Sequence, residues 1–383
     1  MATHLKFFFK HRDSLFIGLV FTCNSLLFGN WITRIPNIKD AIGLSEAELG
    51  LALLGAPIGS LLMMPFSGWI ISRLEVGRTV LISGLLHTCS LILISLAGSF
   101  WAITLALAYY GFMNALMNIS MNAAVASIEK AYKKPIMSTC HGMWSIGAML
   151  GAAFGSITLG LELKTIPHLV GTTVSVALIL LSISGTLFQL KEAKNQADKV
   201  FALPKGALLL LSFLAFCILL SEGAIADWSA IYMRDVIQSD PFLYGVAYSG
   251  FALFMTVGRL SGDALIPMIG KKKLVLYGGI VSSIGLAIAV SSSSPFPAIA
   301  GFSLTGLGFS CIVPVLFISA ANEPGYSSGT GIAAVTTLGT AGFLVGPPLI
   351  GLLAEWYSLN LGLAFVLFCA VLVSLLSLAI KFR

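Results

Sequence analysis

The feature that most constrains this chain is a succession of apolar runs, each about 20 residues long, parted only by short interruptions of charge, proline or glycine. A helix rising 1.5 Å per residue needs about 20 such residues to cross roughly 30 Å of hydrocarbon. Cutting at the interruptions predicts twelve spans, near residues 15–35, 48–71, 79–98, 101–126, 137–160, 168–190, 206–232, 243–266, 274–292, 296–320, 328–353 and 359–380. A water-soluble core cannot absorb these runs. With 57% hydrophobic residues, 10% charged and a mean hydropathy of +0.96, the chain lacks the polar residues to clothe such a core. The expected class is therefore an all-α membrane protein with a lipid bilayer as its solvent.

The same composition excludes a disordered chain, a disulfide scaffold and a nucleic-acid partner. The net charge of +6 fits loops that face an anionic cytoplasmic leaflet. Cys23, Cys89, Cys140, Cys217, Cys311 and Cys369 stand singly, with no CxxC and no Cys/His cluster. They read as small packing residues, and no metal or cofactor is expected. The opening MATHLKFFFKHRD leads into the first apolar run without a small-residue cleavage site, so that run is read as a retained span.

Lysine and arginine should favour the cytoplasmic loops. With the N-terminus inside, 17 of the 22 fall on the cytoplasmic side, four (Arg34, Lys39, Lys164 and Arg234) fall outside, and Arg259 is left near the inner end of the eighth span. Both termini are thus expected in the cytoplasm. The longest polar interruption, KEAKNQADK at residues 191–199, falls mid-chain and predicts a six-helix bundle over 1–190, a cytoplasmic linker over 191–205 and a second bundle over 206–383. A shift of 195 residues brings Gly50 onto Gly245, Gly55 onto Gly250, Gly84 onto Gly279, Gly111 onto Gly306, Gly147 onto Gly342 and Gly151 onto Gly346. The halves therefore read as parallel repeats.

Two such bundles joined by a basic loop resemble the major facilitator superfamily over all twelve spans. The superfamily's loop signature survives in outline as Gly68-Trp-Ile-Ile-Ser-Arg73-Leu-Glu-Val-Gly77-Arg78, with Ser72 where the acid belongs. The second-half counterpart, Gly262 to Lys273, has Pro267 at the acidic position and keeps only the basic end. Closer matches are Trp31-x-Thr-Arg34-x-Pro36, Asn122 with Glu129 and His141-Gly142, Glu222-Gly-x-x-x-Asp227-Trp228, Gly250-Phe-x-x-x-Met-Thr-Val-Gly-Arg259 and Phe343-Leu-Val-Gly-Pro-Pro348. These are similar to the YbjJ-like inner-membrane branch, distantly akin to fucose/proton symporters. The resemblance implies a substrate path between the bundles, alternating access by rocking, and a place in the bacterial inner membrane.

Ionisable side chains at membrane depth are functional candidates, because burying them is costly unless they meet protein partners or water. Glu222, about 16 residues into the seventh span, is the deepest carboxylate and the expected main protonation site. Asp227 lies five residues on and about 140° round the helix. In the resembled fold the first and seventh spans line the interface, so Arg34 is expected opposite Asp227 as an outer gate. Glu129 and His141 form a candidate inner pair for proton coupling. Asn114, Asn118 and Asn122 recur every four residues and stripe one helix face. With Asn24, Asn30, Trp31, Trp144 and Trp228 they are expected to bind a small polar solute. Tyr248 is a further aromatic that could line a cavity, and His87 reads as structural. Arg73, Arg78, Arg259 and Asp263 belong to the gate and loop motifs, the last two as a one-turn salt bridge. Gly147-x-x-x-Gly151-x-x-x-Gly155 and Gly342-x-x-x-Gly346 are small faces for close helix contact.

No Walker-type GxxxxGK[ST] is present, so an ion gradient is the expected energy source. The function expected is secondary active transport of a small polar organic solute, proton-coupled, by a monomer. The alternative is a drug or metabolite exporter of the same superfamily, which would favour a larger aromatic cavity. A membrane sensor or enzyme is the remote alternative, since neither HExxH nor paired catalytic carboxylates on one face occur.

Overall fold

The computed structural model describes residues 7–190, 205–324, 326 and 328–382. The expected linker at 191–199 lies outside the described residues. Every regular element among those described is a helix. Twelve are long and apolar enough to cross a membrane: α1 (Arg12–Ile42), α2 (Glu46–Leu74), α3 (Val76–Leu96), α4 (Phe100–Tyr132), α5 (Met137–Gly160), α6 (Thr165–Ser182), α7 (Leu208–Val236), α8 (Pro241–Gly262), α9 (Lys271–Ser291), α10 (Pro295–Ala321), α11 (Thr330–Trp356) and α12 (Leu359–Ala379).

Several helices overrun the lengths expected from hydropathy. The first span was expected near residues 15–35; instead α1 carries Pro36 within it and runs on to Ile42. A proline in a packed membrane helix costs one backbone bond that its neighbours can offset. The actual stop is Gly43, at φ +77°, whose N–H reaches the carbonyls of Lys39 and Asp40. Elsewhere side chains set the ends: the Ser99 hydroxyl accepts from the Ala102 N–H at the start of α4, and Ser358 does the same for Leu361 at the start of α12. The last turn of α7, Tyr232–Val236, is wound as a π-helix, a local widening that often accompanies functional segments.

The chain forms two compact units, one of Met1–Leu44 with Leu51–Asn195, the other of Ser45–Gly50 with Gln196–Arg383. The first turn of α2 thus groups with the second unit. Gly50 and Gly351 lack side chains there, which lets their backbones approach closely.

Within the first unit α1 packs on α5, α2 on α4, and α3 on both α4 and α6. Within the second, α7 packs on α11, α8 on α10, and α9 on both α10 and α12. The pairing is the same after a shift of six helices, as parallel repeats require. Glycines carry the correspondence to single residues. Gly111 of α4 lies on the backbone of Ala56, and Gly306 of α10 lies on that of Phe251. Gly55 faces Thr104 and Ala108, while Gly250 faces Ile299 and Ser303. Each contact recurs 195 residues on. The α5 glycines likewise lie on α1, with Gly147 on Thr22 and Gly151 on Leu26, as Gly342 of α11 lies on Phe216 and Leu220 of α7.

At Gly111 and Gly306 a Cβ would meet backbone rather than a side chain that can turn away. Gly111→Ala and Gly306→Ala should each destabilise the protein by about 1 to 3 kcal/mol by overpacking. Gly171→Ala, with nothing within 4 Å of the added carbon, should be neutral. Thermal unfolding in detergent checks this, and equal melting of all three variants would refute the close-approach reading.

Candidate functional site

In the first unit the polar side chains converge on Arg34, which is 2% exposed near the end of α1. Its Nε–H donates to Nδ1 of His168 at 2.8 Å, and its Nη2 donates to Thr158 Oγ1 at 3.1 Å and to the Leu163 carbonyl at 2.8 Å. All three acceptors are neutral. Because Nδ1 of His168 accepts from a guanidinium, the imidazole proton sits on Nε2, which lies 2.6 Å from Asn30 Oδ1. Asn30 passes the chain on, donating from Nδ2 to the Leu26 carbonyl at 2.8 Å. The network ties α1 to α5 and α6 by side chains that are each nearly or fully buried.

A second cluster lies along α4. Asn24 donates from Nδ2 to Asn114 Oδ1 at 2.8 Å, and its own Oδ1 accepts from Trp144 Nε1 at 3.0 Å. One turn further, Asn122 Nδ2 donates to the carbonyl of Asn118 at 2.8 Å and to its Oδ1 at 3.0 Å. Asn114, Asn118, Asn122 and Trp144 are half-buried, whereas Asn24, Asn30, Trp31 and Trp228 are buried. The stripe thus faces neighbouring helices and partly open space, with Asn24 acting as a cross-link among three spans.

The two members of the expected inner pair are placed differently. Glu129 Oε1 accepts the backbone N–H groups of Ile136 and Met137 at 2.6 and 2.8 Å, which caps the start of α5. His141 is exposed, with its ring edge-on to Phe21 at 5.3 Å between centroids. His87 is fully buried against Tyr110, their ring centroids 4.6 Å apart. In the loop motif, Glu75 supplies the acid that Ser72 lacks: it lies 3.8 Å from Arg78, both well exposed, while Arg73 is exposed nearby.

The second unit carries charge at membrane depth. Glu222 of α7 lies 3.6 Å from Arg259 of α8, Oε2 to Nη2, with Glu222 15% exposed and Arg259 33%. Arg259 was expected to pair with Asp263, one turn along its own helix; the pair it makes crosses to another helix, and the Asp263 side chain lies outside the described residues. The pair is half-made, because Glu222 Oε1 and Arg259 Nε are both buried without a hydrogen-bond partner. Asp227, further along α7, is half-buried, and Trp228 beside it is fully buried with Nε1 unpartnered. Tyr248, 6% exposed on α8, lies within the electrostatic reach of Glu222, Arg259 and Asp227. Its ring leans on Phe251, with centroids 5.8 Å apart.

Sequence reasoning missed His168, Thr158 and Glu75. The signal for His168 was available: it opens the sixth span at the same side of the membrane where Arg34 ends the first. Removing it should leave Arg34 short of an acceptor. His168→Ala is expected to destabilise the first unit by about 1 to 3 kcal/mol, the cost of a buried donor left unmade. His168→Gln, whose side-chain oxygen can accept in its place, should recover part of the loss in the same unfolding assay; equal stability of His168→Ala and the parent would remove the network from the fold's supports.

Comparison with known proteins adds what geometry alone does not. Residues 17–265 match the family model described as Major Facilitator Superfamily. An uncharacterized MFS-type transporter of Yersinia pestis is 34% identical over 95% of this chain and 94% of its own length. Membrane protein MosC of Rhizobium meliloti is 32% identical over 94% of this chain and 88% of its own. Among solved structures, a mutant of the nucleoside transporter NupG superposes with a TM-score of 0.74 over 96% of this chain and 99% of that one, at 14% identity.

Proposed function

Because the chain belongs to the Major Facilitator Superfamily, we propose that it is a proton-coupled secondary transporter of a small polar organic solute, working by alternating access in the bacterial inner membrane. A place in the YbjJ-like branch, a monomeric state and cytoplasmic termini are parts of the same proposal. The observation that carries it is the pair of carboxylates on α7, Glu222 and Asp227, the only charged residues of that helix before its last turn, the first of them against Arg259. Ionisable groups are expensive there and survive where they serve transport. A carboxylic acid in low-dielectric surroundings also exchanges protons close to neutral pH, as a proton carrier must.

The Asn114, Asn118 and Asn122 stripe, with Asn24 and Trp144 behind it, supports a hydroxylated or amino-bearing solute over a long apolar one. Amides offer both donors and acceptors, and helices that met only lipid would have no use for three of them in one row. The absence of any nucleotide-binding motif in the sequence supports an ion gradient as the source of energy.

The test is reconstitution into proteoliposomes that enclose a pH-sensitive dye. At least one polar solute is expected to drive proton movement when added to one side. The double variant Glu222→Gln with Asp227→Asn should melt near the parent temperature, keep solute counterflow and lose solute-linked proton flux. Its loss of counterflow as well would point to the carboxylates as solute ligands, and proton flux equal to the parent's would sink the coupling assignment.

A further inference from the structure

The start of α9 concentrates positive charge. Lys271, Lys272 and Lys273 are its first three residues, at the end of the helix where the peptide dipoles already place a partial positive charge. Gly270, just before them, holds φ +80°, and no side chain caps the helix. Like charges packed into one turn oppose one another. Lys272 shows what such an ammonium takes when it is within reach: its Nζ donates at 2.5 Å to the carbonyl of Leu378, in the last turn of α12, where carbonyls lack helical partners. That bond ties the start of α9 to the end of α12. Lys271 is itself engaged. Lys273 is exposed and makes no hydrogen bond or ion pair among the described residues.

At these two helix ends lies a cavity of about 530 Å³, lined by the three lysines and Gly270 on its polar side and by Leu276 and Phe382 on its apolar side. No acidic side chain is among its lining residues. Its volume falls in the range of about 300 to 1,000 Å³ that small-molecule sites occupy. We propose that this cavity binds the headgroup of an anionic membrane phospholipid, its phosphodiester against Lys272 and Lys273 and its glycerol backbone against Leu276 and Phe382. Lysine meets phosphate as a point charge, so the ammonium groups need no fixed fork to hold it. A lipid seated there counters the charge that the start of α9 concentrates and reinforces the tie to α12.

The flanks of the cavity favour a lipid over a soluble phosphate ester. Met268, just before the lining begins, is exposed, as are Tyr277 of α9 and Leu378 of α12. The last two belong to membrane spans, so acyl chains that leave the cavity meet apolar and aromatic surface at the level where the spans enter the bilayer. Basic pockets between helix ends at that level suit anionic headgroups. A zwitterionic lipid is disfavoured, because it brings an ammonium of its own to a site that already holds three.

The test uses the full chain in phosphatidylcholine nanodiscs that contain a small fraction of phosphatidylglycerol with a photoreactive diazirine near its headgroup. Light fixes the lipid where it sits, and peptide mass spectrometry locates the adduct. Adducts are expected on the peptides that carry residues 268–277 and 378–382, and the same probe built on phosphatidylcholine should mark them about fivefold less or fainter still. Unlabelled phosphatidylglycerol should compete, whereas glycerol 1-phosphate at about 10 mM should not. Lys272→Gln with Lys273→Gln should lower this marking by tenfold or more, each ammonium being worth about fivefold. Marking near Lys133 and Lys134, another pair of exposed lysines, should stay at the parental level. Lys273→Gln alone removes no contact of the fold; it should melt as the parent does and still lower the marking about fivefold. Equal marking by the two lipid probes overturns the proposal, as does parental marking in Lys273→Gln and in the double variant. Displacement of the probe by glycerol 1-phosphate also overturns it and gives the cavity to soluble phosphate esters.

Discussion

Everything in this protein follows from placing a polar backbone in a solvent that offers it no hydrogen bonds. Helices satisfy the backbone internally, but side chains must then find partners within the protein, since lipid supplies none. With lipid as apolar as leucine, helix association depends on close packing and on buried polar ties. The glycines at the α1/α5 and α2/α4 crossings supply the first in one unit, and their counterparts 195 residues on supply it in the other. The polar ties are where the two halves part company.

In the first unit the ties are mostly neutral. Arg34, the one buried cation in the network, is held by an imidazole, a hydroxyl and a carbonyl, so its charge is spread over dipoles instead of being cancelled by an acid. Such an arrangement tolerates no protonation of His168, because Nδ1 would then present a donor to a donor. It is a rigid element by construction. The second unit adds to its neutral ties one that is ionic and incomplete, with one oxygen of Glu222 and Nε of Arg259 left without partners. A half-made pair buried in a membrane protein stores the capacity to be made differently, which suits the part of a transporter where charge has to move.

What the sequence revealed and what it concealed divide along the range of the interactions. The spans were legible because bilayer thickness imposes one length on every run, and the repeat was legible because backbone crossings admit only glycine at certain positions. The asparagine stripe was legible because its period belongs to a single helix. Arg34 was expected opposite Asp227 as an outer gate; its acceptor His168 is 134 residues away, and no local pattern reports such a distance. Arg259 shows the same limit: its guanidinium reaches Glu222 on a neighbouring helix, 37 positions earlier in the chain, whereas the expected one-turn pair with Asp263 falls outside the described side chains. Glu129 was read with His141 as an inner pair for proton coupling, while its carboxylate takes the otherwise unsatisfied N–H groups at the start of the next helix.

The division of roles on α7 can be pushed one step further. A proton carrier and its charged partner cannot both be neutral and both be strongly bound, because whatever stabilises the anion holds the proton off. Burial and the Arg259 guanidinium 3.6 Å away act on Glu222 in opposite directions, the first favouring the neutral acid and the second the anion. Asp227, five residues on, is half-buried, and no ion pair like that of Glu222 is made to it among the described residues. Depth in the membrane therefore selects which residues are expensive, and the neighbouring charge selects which of them can give up that expense by binding a proton.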